Sequence, residues 1–464
     1  MQVPHSPNRT IGSLTLAAVA VAATGLIASS AAGDACEPTW DAAFSAPGAP
    51  AGIVFDLAPH DSGQGEALYA VGSFTSMAGV SANRVARWDG RNWSNLGSGL
   101  SNAEVYAVRS FAGDLYVAGY FDSAGGVAGT AKLARWNGQQ WESINAQLSA
   151  FFNQLWGLTT WDDGSGEALY IAGNFVNIGG VNDASFIARY DGENFTALGA
   201  PIDGPVNLII FSAYPWDDGD GEALYVGGRF LEIDGKPANR IAKWDGENWS
   251  PLGSGIDGPL GASSVMDMKA FDDGSGEQLY VAGQAFTTAG GVAAARVARW
   301  DGSQWSNVGE GFNDGIVWGL EVFDDGTGSA LYAFGTFTGS GSTPLNRIAR
   351  WNGTSWEAVD GGANNATYNG ASYDDGSGPA LYVGGAYTSI GGVSANRIAR
   401  LVACEREDET LGDLNGDGVV NVFDLLILLD QWGPCDDPAD CPADLNQSGS
   451  VDVFDLLLLL DNWG

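Results

Sequence analysis

"ALYVGGAYTSIGGVSANRIARLVAC", Ala380 to Cys404, is the last copy of a repeat, and it stops short. Earlier copies run on through a turn to an aromatic residue, as in "NRIAKWDGENW", "ARVARWDGSQW" and "NRIARWNGTSW". The last copy has Leu401 where these have their first Trp, then Cys404, and its second aromatic never comes. Finding the missing piece decides the fold.

Working outward, the Leu-Tyr pair recurs at Leu68, Leu115, Leu169, Leu224, Leu279, Leu331 and Leu381. Each copy holds four short runs separated by Gly, Asp and Asn; in the second they read "VYAVRSF", "LYVAGYF", "KLARW" and "QWESI". Runs this short, rich in β-branched and aromatic residues and bounded by turn residues, are strands. "WDG" and "WNG" mark tight hairpins. No segment before residue 411 carries helical periodicity. Seven four-stranded units of about 50 residues predict a β-propeller rather than a solenoid, which would need polar caps at both ends.

The missing piece lies at the other end of the domain. In "CEPTWDAAF", Trp40 stands where Trp93, Trp141, Phe195, Trp249, Trp305 and Trp356 stand in complete copies. "PTWDAAF" is therefore expected to be the outer strand of the last blade, closing the ring and removing its exposed edges. Cys36 and Cys404 fall where the connecting turn of a continuous blade would be, and are expected to be bridged. The expected fold is all-β: a seven-bladed propeller over 33–403 after a signal peptide (1–32), then a linker (404–411) and a small α-helical domain (412–464). The repeat wording "GGVSANRIARWDG..W..LGSG" resembles Kelch-like repeats of secreted bacterial proteins and of fungal cortical polarity-marker proteins. That resemblance implies a fold and leaves the activity open.

The formal charge of −36 argues against nucleic acid and anionic membrane surfaces as partners. Arg9 precedes the apolar run "LTLAAVAVAATGLIA" and the small residues "SSAAGDA", the order of a secretory signal with cleavage near Ala32. No second segment is apolar for long enough to span a bilayer. The chain is expected to be secreted, extracellular or at the cell surface, with its four cysteines paired.

After "EREDET" come two near-copies, "GDLNGDGVVNVFDLLILLDQWG" and "ADLNQSGSVDVFDLLLLLDNWG". Each opens with oxygen-bearing side chains at alternating positions, then Gly, then a carboxylate at position 12, which is the logic of a Ca²⁺ loop. The expected ligands are Asp413, Asn415, Asp417, the Val419 carbonyl, Asn421 and Asp424 in the first loop. In the second they are Asp444, Asn446, Ser448, the Ser450 carbonyl, Asp452 and Asp455. Ser448 at position 5 weakens the second loop. Asp rather than Glu at position 12, the duplication and the Leu-rich segments behind the loops resemble type I dockerins. The resemblance implies two Ca²⁺ ions, folding coupled to their binding, and a protein partner, cohesin-like or on the cell surface. Cellulosomal dockerins recognise cohesins through polar and basic residues. This sequence has Val422-Phe423 and Val453-Phe454 at positions 10 and 11, and Leu429-Asp430 and Leu460-Asp461 at positions 17 and 18. The docking face is therefore expected to be apolar, Val422, Phe423, Leu426 and Leu429 with their counterparts Val453, Phe454, Leu457 and Leu460, and either helix could serve one partner. The alternative is that the helices bury these residues against each other. Cys435 and Cys441 are expected to bridge locally.

Chemistry-bearing residues are few. His5 leaves with the signal peptide, and His60 beside "DSGQG" reads as a loop residue, so Ser-His, Cys-His and multi-histidine metal centres are excluded. "DDGSGE" and its variants, at Asp162, Asp217, Asp272, Asp324 and Asp374, read as hairpin turns rather than Ca²⁺ sites. One cation per copy, Arg87, Arg135, Arg189, Lys243, Arg299, Arg350 and Arg400, is expected to pair with such acids. An aligned column in the first strand, Phe55, Tyr106, Trp156, Phe211, Met266, Trp318 and Tyr368, reads as packing between blades, with a stacking platform for sugars as the alternative. Variable residues in a constant frame, above all Tyr120, Asn174, Arg229 and Gln284, are the candidate ligand contacts on one rim, with a glycan as the candidate ligand. Two functions follow: a non-catalytic binding or scaffold propeller attached to a partner through its Ca²⁺ module, or a glycoside hydrolase. The second needs two acids in one cleft, out of register with the repeat, and the sequence alone reveals no such pair.

Overall fold

A computed structural model of the protein describes residues 38–41, 52–148, 154–199, 208–404, 411–415, 419–435, 441–446 and 448–463. The expected signal peptide, Cys36, the stretch 405–410 and Asp417 lie outside the described residues.

Seven four-stranded antiparallel sheets form among the described residues. The first is made of Val54–Asp61, Glu66–Gly72, Val85–Trp88 and Trp93–Asn95, adjacent in chain order, and the next five repeat that order. The seventh differs. Thr367–Asp374, Pro379–Gly385 and Ile398–Val402 supply three strands, and the fourth is Thr39–Asp41 from the start of the chain. Thr39 pairs with Val402, Trp40 with Leu401 and Asp41 with Arg400. Trp40 is buried with Tyr332, Leu381 and Leu401 in one apolar cluster, and the Arg400 guanidinium bonds the Asp41 carboxylate. The last repeat is thus completed by backbone pairing, apolar burial and an ion pair together.

The second strand of each sheet is the most buried, as in "EALYAVG", where six consecutive residues are covered. Burial in consecutive residues means that both faces of the sheet are packed against neighbours. The apolar cores accordingly lie between sheets. One joins Leu57, Leu68 and Trp93 of the first sheet to Tyr373, Tyr382 and Ile398 of the seventh. The outermost strands are only two or three residues long, which limits the exposed edge.

The "DDGSGE" segments are hairpins. In each, the first Asp accepts the N–H groups two and four residues on, as Asp162 does from Gly164 and Gly166, both at 2.9 Å. The second Asp faces inward to a Tyr hydroxyl and a cation: Asp218 accepts from Tyr225 at 2.7 Å and from Lys243 at 2.5 Å, and Asp325 from Tyr332 at 2.6 Å and Arg350 at 2.7 Å. Burial alone would raise the carboxyl of Asp325, but its hydrogen bonds from Thr327 and Tyr332 and the charge of Arg350 outweigh it and hold the pKa below the usual range. Arg135 departs from the pattern and pairs with Glu142 and with Asp114, the latter at 3.5 Å. His60 is not a loop residue. The strand runs on to Asp61, His60 is 4% exposed, and its Nδ1 lies 2.8 Å from the Ser110 hydroxyl. Burial lowers its pKa.

The C-terminal segment holds two helices, α1 (Val422–Asp430) and α2 (Val453–Asp461). Each starts with a reciprocal capping box, Asn421 with Asp424 and Asp452 with Asp455. Val420, Leu428, Ala443, Val451 and Leu459 form its small core, and Cys435 is bonded to Cys441. Cys404 is also disulfide-bonded; its expected partner, Cys36, lies outside the described residues. Among the described residues no helix is long and apolar enough to cross a membrane.

Candidate functional site

The first strand of every sheet slips register by one residue against its neighbour. The slips fall between Val54 and Asp56, Val105 and Ala107, Leu155 and Gly157, Ile210 and Ser212, Val265 and Asp267, Val317 and Gly319, and Thr367 and Asn369. The skipped residue is in each case the aligned aromatic or Met. A β-bulge leaves one residue unpaired and re-aims its side chain, and all seven of these side chains line one cavity of about 320 Å³. Opposite the bulge the second strand must carry glycine: a Cβ on Gly72 would lie 1.9 Å from the Ile53 carbonyl oxygen.

The bulged rings also touch from sheet to sheet. Tyr106 stacks on Trp156 with centroids 4.2 Å apart, and Phe55 meets Tyr106 at 5.3 Å and Tyr368 at 4.9 Å. Packing between sheets is therefore only half of what this column does, because the same rings enclose the cavity.

The residue after each bulge also lines the cavity in six of the seven sheets, and it breaks the repeat. Ala107, Gly157, Ser212 and Asn369 are uncharged, whereas Asp56 and Asp267 are carboxylates. The structure thus puts two acids on the lining of one cavity, at the same position of the repeat in two sheets, which sequence reading missed; the signal was their departure from an otherwise uncharged column. Asp56 accepts from Leu57 N and Val108 N, each at 2.9 Å, and from Asn369 Nδ2 at 2.6 Å. Burial raises its pKa against the opposing effects of Arg109 and these bonds. Asp267 accepts from Leu320 N at 2.8 Å. Burial pushes its carboxyl up to about 6, although the Leu320 and Met268 N–H groups and Lys269 pull the other way. Tyr120, Asn174, Arg229 and Gln284 are not among the residues lining the cavity. Tyr120 lies under the Lys132 ammonium at 4.4 Å, and Arg229 reaches to 5.9 Å from the ring of cavity-lining Phe211.

In the C-terminal segment the two position-12 carboxylates are fully buried. Asp424 accepts from Leu414 N, Asn415 N and Asn421 N at 2.8 to 3.0 Å. Burial would raise its pKa, but these N–H groups outweigh that and lower it. Asp455 accepts from Asn446 N and Asp452 N. In the second loop the Ser448 hydroxyl lies 3.4 Å from Asp444 Oδ1 and 3.1 Å from the Ser450 carbonyl, so three expected donors converge. In the first loop Asn421 Nδ2 bonds the Val419 carbonyl at 2.9 Å. Among the described residues no cluster of three or more His, Cys, Asp or Glu side chains is gathered for a metal; the loops combine carboxylates with amide, hydroxyl and carbonyl oxygens. Residues 411–464 contain eleven Asp and no Lys, Arg or His. An all-oxygen donor set without internal cations fits a hard divalent ion.

Little of either helix is covered. Leu428 and Leu459 are their only fully buried apolar residues. Phe423 is 62% and Phe454 63% exposed, and Val422, Leu426, Leu429 and Trp432 repeat in exposure at Val453, Leu457, Leu460 and Trp463. The helices do not bury these residues against each other.

Residues 381–402 match a family described as a domain of unknown function (DUF5122) beta-propeller. No curated protein matches the chain. Two structures of the extracellular domain of BT4673 from B. thetaiotaomicron are similar at 12% and 13% identity, with TM-scores of 0.44 and 0.48, over 75% and 78% of this chain and 38% and 40% of theirs. The chain thus spans about two fifths of the length of those domains. The major Malassezia sympodialis allergen Mala s 1 is similar at 16% identity and a TM-score of 0.33, over 64% of this chain and 92% of that one. Residues 411–462 match the type I dockerin domain, a calcium-binding module that docks onto protein partners.

Proposed function

We propose that this is a secreted, non-catalytic binding protein: a seven-bladed β-propeller closed by its N-terminal strand and attached to a protein partner by a dockerin module that holds two Ca²⁺ ions. The observation that carries the reading is the pair of matching exposed apolar faces on α1 and α2 behind the two oxygen-lined loops. Exposed apolar patches of this kind mark interaction surfaces. Eleven Asp and no cation in the module give the partner its chemistry, an apolar groove with a basic rim. Support for the closed ring comes from the pairing of Thr39–Asp41 with Ile398–Val402, from the core shared by the first and seventh sheets, and from a cavity to which all seven sheets contribute.

The test is Ca²⁺-dependent capture of a surface protein from the producing cell by the mature chain. Capture should be lost with EGTA and lost in Phe423→Asp/Phe454→Asp while Ca²⁺ binding persists. Capture that survives both treatments refutes the reading.

A glycoside hydrolase is the second reading, favoured by Asp56 and Asp267 lining one cavity. Against it, both oxygens of Asp56 are held by backbone and Asn369 donors, a poor setting for proton transfer to substrate. Release of reducing sugar from a polysaccharide panel, abolished by Asp267→Asn, would establish hydrolysis.

A further inference from the structure

We infer that the cavity enclosed by the seven bulged strands binds a neutral sugar residue, a pyranose held between aromatic walls and recognised through its hydroxyls. The inference rests on the reading of the sheet domain as a binding head and moves the ligand from the rim to the cavity.

Three kinds of group meet there. The walls are aromatic, six rings and a Met side chain, with Tyr106 and Trp156 stacked on each other; ring surface not taken up by a neighbouring ring packs well against the C–H face of a sugar. Three lining side chains bring polar atoms that are buried and make no hydrogen bond: Trp156 Nε1, Trp318 Nε1 and Ser212 Oγ. An unmet buried donor costs roughly 1–3 kcal/mol; all three atoms are covered by the wall, so a ligand that supplies acceptors gains from each one that it draws into the cavity. The third kind is an acceptor. Asp267 takes one N–H from the neighbouring sheet at Leu320 and one from Met268, and a carboxylate has about four lone-pair sites.

The combination excludes other small ligands. An organic ammonium would suit the carboxylate and the ring faces but leave both indole N–H groups unmet. An anion would meet the indoles and the Arg109 guanidinium but face two carboxylates, Asp56 and Asp267, and the electron-rich ring faces. An apolar ligand would satisfy neither donors nor acceptor. A hydroxyl accepts and donates, and several hydroxyls around a compact ring can do both at once. The volume, about 320 Å³, sits at the low end of the roughly 300–1,000 Å³ usual for ligand pockets, which suits one or two sugar units.

The experiment is calorimetry on the full mature chain in Ca²⁺, with methyl glycosides of glucose, mannose, galactose and xylose, and with choline and acetate as charged probes. At least one glycoside should bind. Trp318→Phe keeps the wall and removes the N–H, and should weaken binding about tenfold, the worth of one hydrogen bond to ligand. Ser212→Ala should weaken it too, and neither variant should lower the melting temperature, since each removes an unmet buried group. Tyr120→Ala and Arg229→Ala should have no effect. Binding weakened by the rim variants and not by Trp318→Phe or Ser212→Ala overturns the cavity assignment. Choline or acetate binding without any glycoside overturns the sugar assignment while the binding-head reading stands. Binding of none of these probes overturns both.

Discussion

Two regions of this chain are repeats, and they repeat for opposite reasons. In the seven sheets the repeated residues are structural: Leu-Tyr strands and outer-strand Trp are buried and recur because every sheet meets the same neighbours, and the hairpin acids recur because each holds the same turn. What is chemically distinctive there is the departure from the repeat, as with Asp56, Asp267 and Ser212 in the column after the bulge. In the C-terminal segment most of the repeated apolar helix residues are exposed. Phe423 and Phe454, Leu426 and Leu457, Trp432 and Trp463 match in identity and exposure although packing does not require it. Sameness that the core does not demand points to use by a partner. One repeat is therefore to be searched for its exceptions, the other for its agreements.

The largest effect that would test this contrast is removal of Ca²⁺. Among the described residues the module has a core of only five fully buried apolar side chains, so its folding should depend on the ions, and EGTA should abolish its helical signal while the sheets keep their melting temperature. Asp424→Ala should act in the same direction. It deletes an expected Ca²⁺ ligand and leaves three partly buried backbone N–H groups without their acceptor, a cost of about 1–3 kcal/mol. Helix content that is indifferent to EGTA would place the module with the sheets as self-sufficient. Redundancy comes next. If either helix face serves the partner, Phe423→Asp or Phe454→Asp alone should lower affinity about twofold, the loss of one of two equivalent orientations, and only the double variant should abolish binding in a titration. A single variant that abolishes binding breaks the equivalence.

The strands were legible because Leu-Tyr pairs, β-branched runs and Gly-Asp turns agree at each repeat, and Trp40 shows which strand completes the last sheet. The C-terminal module was legible because hard-cation ligation asks for oxygen-bearing residues at alternating positions, and the dockerin match falls on that stretch. The bulges were not. A one-residue slip changes which face a side chain takes without changing composition, so the aromatic column could be placed on a strand but not assigned to a cavity. Asp56 and Asp267 stayed hidden for the same reason, since which face they take depends on that slip. His60 was misread because the turn-type residues after it begin at Asp61, which is still the last residue of the strand. The exposure of α1 and α2 was only half legible: an all-apolar helix shows that one stripe has no room in a small core, but not which.

A smaller effect separates exception from repeat by pH. Asp267 has its pKa raised to about 6, burial being the main cause. A raised carboxyl binds its proton more tightly in the folded state, so the folded state gains below about pH 4 and loses that gain as pH rises toward 6. By pH 7 the ionised group costs on the order of 2–3 kcal/mol. Asp267→Asn should therefore match the wild type in thermal melting at pH 4 and exceed it at pH 7.5. Asp163, Asp218, Asp273, Asp325 and Asp375 have lowered pKa values and work in the opposite sense, contributing stability above pH 4 that is lost on acidification. Parallel melting curves for variant and wild type across that range would show that Asp267 carries no such burden.

The smallest effect bears most directly on the contrast. Asp162 and Asp272 do the same job in the third and fifth sheets, each accepting two glycine N–H groups of its own hairpin. The turns are exposed, so water can replace much of what either carboxylate supplies, and Asp162→Ala or Asp272→Ala should cost about 1 kcal/mol. The two sites share no partner. In a structural repeat each copy contributes separately, so the double variant should cost the sum of the singles to within roughly 0.5 kcal/mol. Docking faces that substitute for one another behave otherwise, since there the first loss is nearly silent and the second complete. Chemical denaturation of the two singles and the double, at one pH and in Ca²⁺, measures the difference. A double variant no less stable than either single would mean that the hairpins, like the helix faces, cover for each other, and the division of the chain into an additive repeat and a redundant one would fail.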